Sequence, residues 1–145
     1  MAKGGRDLDR SAMHLLHRAD QCAADTFSSE ARTNGLTPRQ FAVLMVVADE
    51  EGLTQTDLVE RTGIDRSTLA DVVARLLSRG LIQRRRAKED ARAYAIKLSP
   101  QGVKALREAQ PGAAAADQKL LANLPPAKRQ EFLDSLNLIV SALGK

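Results

Sequence analysis

The residues with the most chemistry to offer lie close together in the middle of the chain. Arg66, Ser67, Thr68, Asp71 and Arg75 recur at helical spacings, and Arg86, Lys88, Asp90 and Arg92 follow a few positions later. Arginine can bond a guanine edge or a phosphate with two parallel N–H groups, and short hydroxyls allow close approach to bases and backbone. The charge distribution agrees. Residues 1–74 hold 8 basic and 12 acidic side chains, residues 75–107 hold 10 and 2, and residues 108–145 hold 4 of each. A short segment therefore carries the positive field, which is the footprint of a phosphate-backbone binder. The bland alternatives are a solvated charged face and a fold used only for protein contact. No nucleophile motif and no glycine-rich phosphate loop is present, so an enzyme is not expected. His14 and His17 stand one turn apart without another close Cys or His, a poor zinc set, so neither metal nor cofactor is expected.

The class of protein follows from size and composition. A chain of 145 residues, 43% of them apolar, suits one domain around one core. The single cysteine, Cys22, rules out an intrachain disulfide framework and the repeated spacing of a zinc finger. No segment approaches the roughly 20 apolar residues of a membrane span. Met1 to Arg10 is charged and lacks the apolar run of a signal peptide. The expectation is a soluble cytoplasmic protein without membrane contact.

Elements must then be found that hold the basic segment in place. Residues 7–33 read as one long helix, with Leu8, Ala12, Leu15, Ala19, Cys22, Ala23, Thr26 and Phe27 at three- and four-residue spacings and Asn34-Gly35 as its end. Thr37-Pro38 reads as a cap followed by proline at the first helical position. The helix it starts runs to about Glu50, with Phe41, Leu44, Met45 and Ala48 inward. Thr54 caps a short helix over 55–62, with Asp57 in its first turn. Thr62-Gly63-Ile64 makes a tight turn, and Asp65 caps a helix over 66–79 whose apolar stripe is Leu69, Val72, Val73, Leu76 and Leu77. Gly80 ends it.

The period then changes to two. Leu81–Arg86 and Arg92–Leu98 read as a β-hairpin with a charged tip at 87–91, Tyr94, Ile96 and Leu98 sharing one face. Ser99-Pro100 starts a further helix, which Pro111-Gly112 should kink or interrupt. A last helix spans about 126–143, with Phe132, Leu133, Leu136, Ile139, Val140 and Leu143 apolar. The fold class is mainly α with a small β-hairpin wing (α+β), a winged helix-turn-helix with flanking helices. Residues 35–99 form the nucleic-acid lobe; residues 1–34 and 100–145 supply dimerisation helices, all in one compact domain.

In that arrangement the 55–62 helix braces the 66–79 helix against the core. The latter's polar face (Arg66, Ser67, Thr68, Asp71, Arg75) is left to enter a major groove. Thr54 and Gln55, opening the bracing helix, join the candidate DNA contacts. At the wing, Arg86, Lys88 and Arg92 suit a narrow minor groove, where negative potential is enhanced. Asp90 is placed to hold Arg92 in a fixed pose, and an Asp90–Arg92 bridge that merely stiffens the hairpin remains open.

On these residues the chain resembles the MarR family of bacterial regulators. The resemblance is carried by Leu36-Thr37-Pro38-Arg39-Gln40-Phe41, Thr54-Gln55-Thr56-Asp57-Leu58, Ile64-Asp65-Arg66-Ser67-Thr68-Leu69 and Leu77-Ser78-Arg79-Gly80-Leu81-Ile82-Gln83-Arg84. The wing Asp90-Ala91-Arg92-Ala93 and the junction Leu98-Ser99-Pro100-Gln101-Gly102 complete it. The resemblance implies a homodimer whose first and last two helices interlock, binding to double-stranded DNA, repression as the usual mode, and control by a small aromatic or acidic ligand, or its thioester. The ligand would sit between the dimer helices and the DNA lobe. The candidate ligand residues are His14, Arg18 and Gln21 on the first helix, and Arg39, Phe41 and Met45 on the second, with Leu15 as an apolar neighbour. A plain solvated helix face is the alternative for the polar stripe. Two other functions stay open: an architectural or anti-repressor winged-helix protein without a ligand, and a single-cysteine oxidant sensor through Cys22. The apolar stripe around Cys22 favours a buried, inert thiol.

Overall fold

The computed structural model describes residues 7–31, 35–86 and 93–144. Its elements run α1 (Ala12–Glu30), α2 (Pro38–Asp49), α3 (Gln55–Thr62), α4 (Arg66–Ser78), β1 (Ile82–Arg86), β2 (Tyr94–Leu98), α5 (Pro100–Leu121) and α6 (Pro126–Leu143). This is a mainly helical chain with one two-stranded antiparallel sheet, the architecture its periodicities imply.

Local chemistry sets most boundaries. Each helix start leaves backbone N–H groups without partners inside the helix, and short polar side chains supply acceptors. The hydroxyls of Thr37 and Thr54 accept from the amides of Gln40 and Asp57, whose side chains accept in return from the Thr37 and Thr54 amides. Asp65 caps α4 and Ser99 caps α5. Gly63 closes α3 at φ +72° and Gly80 follows α4 at φ +73°, left-handed positions that other residues adopt only with strain.

One core holds α2, α3, α4 and the base of the hairpin together. Val43, Leu44 and Val47 of α2, Leu58 of α3, and Leu69, Val72, Val73 and Leu76 of α4 pack with Leu53, Leu81, Ile82, Ile96, Leu106 and Ala109. The wing is tied in at its base, where the Ile96 amide donates to the Leu53 carbonyl at 2.9 Å. The strands pair with Ile82 opposite Leu98 and Arg86 opposite Tyr94. The turn from wing to α5 is tight. The Ser99 hydroxyl donates to the Gly80 carbonyl and the Ser99 amide to the Leu81 carbonyl. A side chain at Gly102 would overlap that Leu81 carbonyl oxygen, so glycine is required by close approach. A smaller cluster joins Phe27 of α1 and Ala31, just after it, to Ala113 and Ala116 of α5, with the Phe27 and Phe41 rings 5.6 Å apart.

The structure corrects four expectations. First, α1 begins at Ala12, because the Ser11 hydroxyl accepts from the His14 amide and caps it; Asp7–Asp9 form a separate turn. It ends at Glu30 rather than 33. Second, the buried face of α2 is Gln40, Val43, Leu44 and Val47, centred one position off the expected set: Leu44 is inward and Phe41 half-buried against the core as expected, while Met45 is 42% exposed and Ala48 is exposed. A one-residue offset turns a helix by about 100°. The polar Gln40 concealed the stripe; its side-chain oxygen accepts from the Thr37 amide and from Arg79, so it is buried with its bonds made. Third, α5 is not interrupted at Pro111-Gly112. Pro111 points outward, and Gly112 lets the backbone of Glu30 and Ala31 pack directly on the helix, so tertiary contact holds the turn. Lys119 and Glu30 add an ion pair of 3.3 Å to the same contact. Fourth, Cys22 is exposed in the single chain, not buried.

Candidate nucleic-acid interface

The helix α4 stands on its apolar stripe. Leu69 and Leu76 are fully buried, and Val72 and Val73 nearly so. The opposite face is left clear, presenting Arg66, Ser67, Ala70, Asp71, Ala74 and Arg75. Ala70 and Ala74 matter here, although spacing of polar residues gave no hint of them. Small residues between polar ones let a helix approach a groove floor without a steric barrier.

The polar groups are held rather than loose. Arg75 donates from Nε to Asp71 Oδ2 at 3.0 Å, one turn back, which fixes the guanidinium along the helix. Arg66 reaches back to the Thr56 hydroxyl of α3 at 3.4 Å, so α3 braces its side chain as well as the helix. Thr68 is half-buried, and its hydroxyl donates to Asp65 Oδ2 at 2.8 Å. The Asp65 carboxyl accepts from the Thr68 amide, also at 2.8 Å. That amide first, then the hydroxyl, and more weakly the charge of Arg39, hold the Asp65 carboxyl below its ordinary value against a small desolvation penalty.

The other candidates divide. Thr54 spends its hydroxyl capping α3, and Gln55 beside it is half-buried, so both sit at the edge of the polar face. Arg86 is exposed on β1. Lys88, Asp90 and Arg92 lie outside the described residues. Two arginines absent from the candidate DNA contacts, Arg84 and Arg85, are exposed on the same strand. Arg84 and Arg86 lie over the ring of Tyr94, their guanidinium carbons 4.9 and 5.4 Å from its centroid. The signal was available: residues two apart on a strand share a face.

The candidate ligand residues are not gathered in one chain. Arg39 is exposed in the first turn of α2, its charge only weakly felt at Asp65. Phe41 packs on Phe27 and the core. His14 is half-buried, and Arg18 and Gln21 are exposed on α1. Met45 lines an open hollow of about 490 Å³ with Leu106 and Gln110, and Gln110 donates to its sulfur at 3.6 Å. That hollow adjoins a second, of about 410 Å³, between α2, β2 and α5. Val47, Leu98, Val103 and Leu106 line the second hollow together with the charged Glu51, Lys97 and Arg107.

A helix with a clear polar face on a buried stripe, beside a two-stranded ribbon bearing arginines, defines a winged helix-turn-helix DNA-binding protein. Comparison with known proteins names the group. Residues 34–93 match the model of the MarR family. A candidate regulator of the hcr operon in Thauera aromatica is 36% identical over 104 residues, which are 72% of this chain and 63%, just under two thirds, of that protein's own length. The HosA regulator of Escherichia coli O111:H- is 31% identical over 74% of this chain and 79% of its own. Among solved structures, the PcaV regulator of Streptomyces coelicolor with its natural ligand superposes with a TM-score of 0.86 at 32% identity, covering 93% of this chain and 95% of that one. Bordetella bronchiseptica BpsR, whose DNA binding is regulated by 6-hydroxynicotinic acid, gives 0.84 at 30% over 90% and 93%. The repressor CouR bound to a 23-mer DNA duplex gives 0.83 at 27% over 92% and 95%. This chain belongs to the MarR family and is a DNA-binding transcriptional regulator. Among its described residues, no helix is long and apolar enough to cross a membrane.

Proposed function

We propose that the chain acts in the cytoplasm as a homodimeric repressor, bound to a pseudo-palindromic operator and released from it by a small aromatic or heteroaromatic acid or its thioester. The observation that carries DNA reading is the α4 geometry: Arg66, Ser67, Asp71 and Arg75 outward on a helix whose other face is locked in the core. Sequence is read by the α4 face; Arg86 and its neighbours on the wing, with Lys88 and Arg92, hold the phosphate backbone or the minor groove.

Dimerisation is supported by what a single chain leaves uncovered. None of the residues of α6 is buried. Leu138, Val140 and Leu143 are 72%, 64% and 81% exposed, and Met13, Leu15 and Leu16 of α1 are exposed as well. Apolar surface of this extent on two helices calls for a partner, and a twofold copy would place two α4 helices about one DNA turn apart.

The ligand class is supported by BpsR and by the α2–β2–α5 hollow. Its two cations, Lys97 and Arg107, outnumber its one acid, Glu51, and suit a carboxylate, and its Val and Leu walls suit a ring. Met45 borders the adjoining hollow. His14, Arg18 and Gln21 of α1, and Arg39 and Phe41 of α2, line neither hollow in the single chain and would join the site only in the dimer. A tenfold release requires about 1.4 kcal/mol of preference for the DNA-incompetent arrangement. The test has two stages. Binding selection from a random duplex library should return a sequence with twofold symmetry. The complex is then titrated with 6-hydroxynicotinic acid and a panel of aromatic carboxylates, following anisotropy of the labelled duplex. Release by one of them, weakened by Arg107→Ala or by Arg18→Ala with His14→Ala while DNA affinity is kept, supports the proposal. Release that none of these replacements alters would refute the ligand assignment.

A further inference from the structure

Tyr94 is the sole tyrosine in a chain without tryptophan, and it stands at the outer end of the wing directly opposite Arg86. It is 38% exposed, so burial does not explain an aromatic residue there. Two positions along β1, Arg84 shares its face. Both guanidinium groups lie over the one ring. Two arginines on one strand face repel each other, and a long cationic side chain on an exposed strand samples many rotamers. An aromatic face offsets both effects, since its negative quadrupole attracts each cation and its surface restricts each stem. A stacked guanidinium still presents its N–H edges outward, where a phosphate can accept from them.

We propose that Tyr94 is a positioning residue for DNA binding: its ring holds Arg84 and Arg86 in the pose in which they meet the phosphate backbone. This rests on the reading of the wing as a DNA contact, and it adds two residues, Arg84 and Tyr94, to that contact. The contribution is conformational. The free protein has already ordered two side chains that binding would otherwise have to order, and immobilising each such chain is a recognised cost of association. The hydroxyl plays no part, so phenylalanine should serve as well.

The experiment is a mutant cycle read by anisotropy, with a labelled duplex of random sequence as probe, since phosphate contacts do not depend on sequence. Tyr94→Leu should weaken binding about tenfold, the equivalent of about 1.4 kcal/mol, and Tyr94→Phe should restore it. In the Arg84→Gln, Arg86→Gln background, Tyr94→Leu should have no further effect. Because tyrosine emission comes from Tyr94 alone, acrylamide should quench it more readily in that background than in the wild type, where the guanidinium groups cover the ring. Matching circular dichroism melts establish that each variant is folded. If removing both arginines leaves affinity and its salt slope unchanged, the wing reading fails and the proposal falls with it. If the arginines matter but Tyr94→Leu costs as much without them as with them, or Tyr94→Phe fails to restore binding, the wing reading stands and the positioning role is overturned.

Discussion

The junction between the wing and α5 makes the sharpest stability prediction. A methyl group at position 102 would overlap the Leu81 carbonyl oxygen and come within 2.9 Å of its carbonyl carbon. These are backbone atoms, so no rotamer change can make room. The same carbonyl already accepts from the Ser99 amide at 3.0 Å, and the Ser99 hydroxyl ties Gly80 beside it. Relief therefore requires moving the start of α5 away from β1 and breaking one or both bonds. Overpacking generally costs about 1–3 kcal/mol, and a clash with backbone belongs at the upper end, about 3 kcal/mol. In a chain of this size each kcal/mol lowers the melting temperature by about 2–4 °C, so Gly102→Ala should melt about 6–12 °C below the wild type. The assay is a circular dichroism melt at fixed protein concentration, since dimerisation couples to apparent stability. Gln101→Ala, exposed on the same turn, serves as the control and should fall within about 0.5 kcal/mol of the wild type. A Gly102→Ala protein melting within about 2 °C of the control would refute the close approach.

Other outcomes follow from the same geometry. Asp71→Ala should change stability by less than about 1 kcal/mol, because the Asp71–Arg75 pair is exposed, yet it should weaken specific DNA binding by freeing Arg75; anisotropy and melting separate the two effects. Asp65→Ala should lower the melting temperature through loss of the α4 cap. Because the folded carboxyl is held below its ordinary value, its contribution is complete above that ordinary value and lost as pH falls through the lowered one, so wild-type and variant melts should converge in acid. Arg92→Ala should weaken duplex binding and reduce the salt slope by roughly one unit per lost phosphate contact, read from affinities at several salt concentrations. Leu138→Asp on the uncovered face of α6 should give a smaller species or aggregates by light scattering, and an unchanged dimer would exclude α6 from the seam.

What could be read from the sequence was local. Thr37-Pro38, Thr54, Asp65 and Ser99-Pro100 marked helix starts because a cap acts within three residues, and the structure forms each of these bonds. The stripe of α4 was legible because one neighbouring layer covers it. The stripe of α2 was misread by one position, since Gln40 is polar by type yet buried by bonding. Pro111 looked like a break because the contact of Gly112 with α1 is remote in sequence. Cys22 is exposed although its neighbours form an apolar stripe, because periodicity marks a face and not what covers it. Tyr94 read as one of three residues sharing a strand face; its pairing with Arg84 and Arg86 needed the strand register.

The central claim is that the outward face of α4 reads DNA sequence while the wing supplies contacts indifferent to it. The most direct measurement compares the affinity for a selected duplex with that for its scrambled counterpart, in the wild type and in an Arg66→Ala, Arg75→Ala double variant at one salt concentration. Each lost base contact should cost about 1–3 kcal/mol on the selected duplex. The ratio of specific to non-specific affinity should therefore collapse, while binding to the scrambled duplex falls much less. An unchanged ratio, with both affinities reduced alike, would show that α4 contacts only phosphate and would contradict the account.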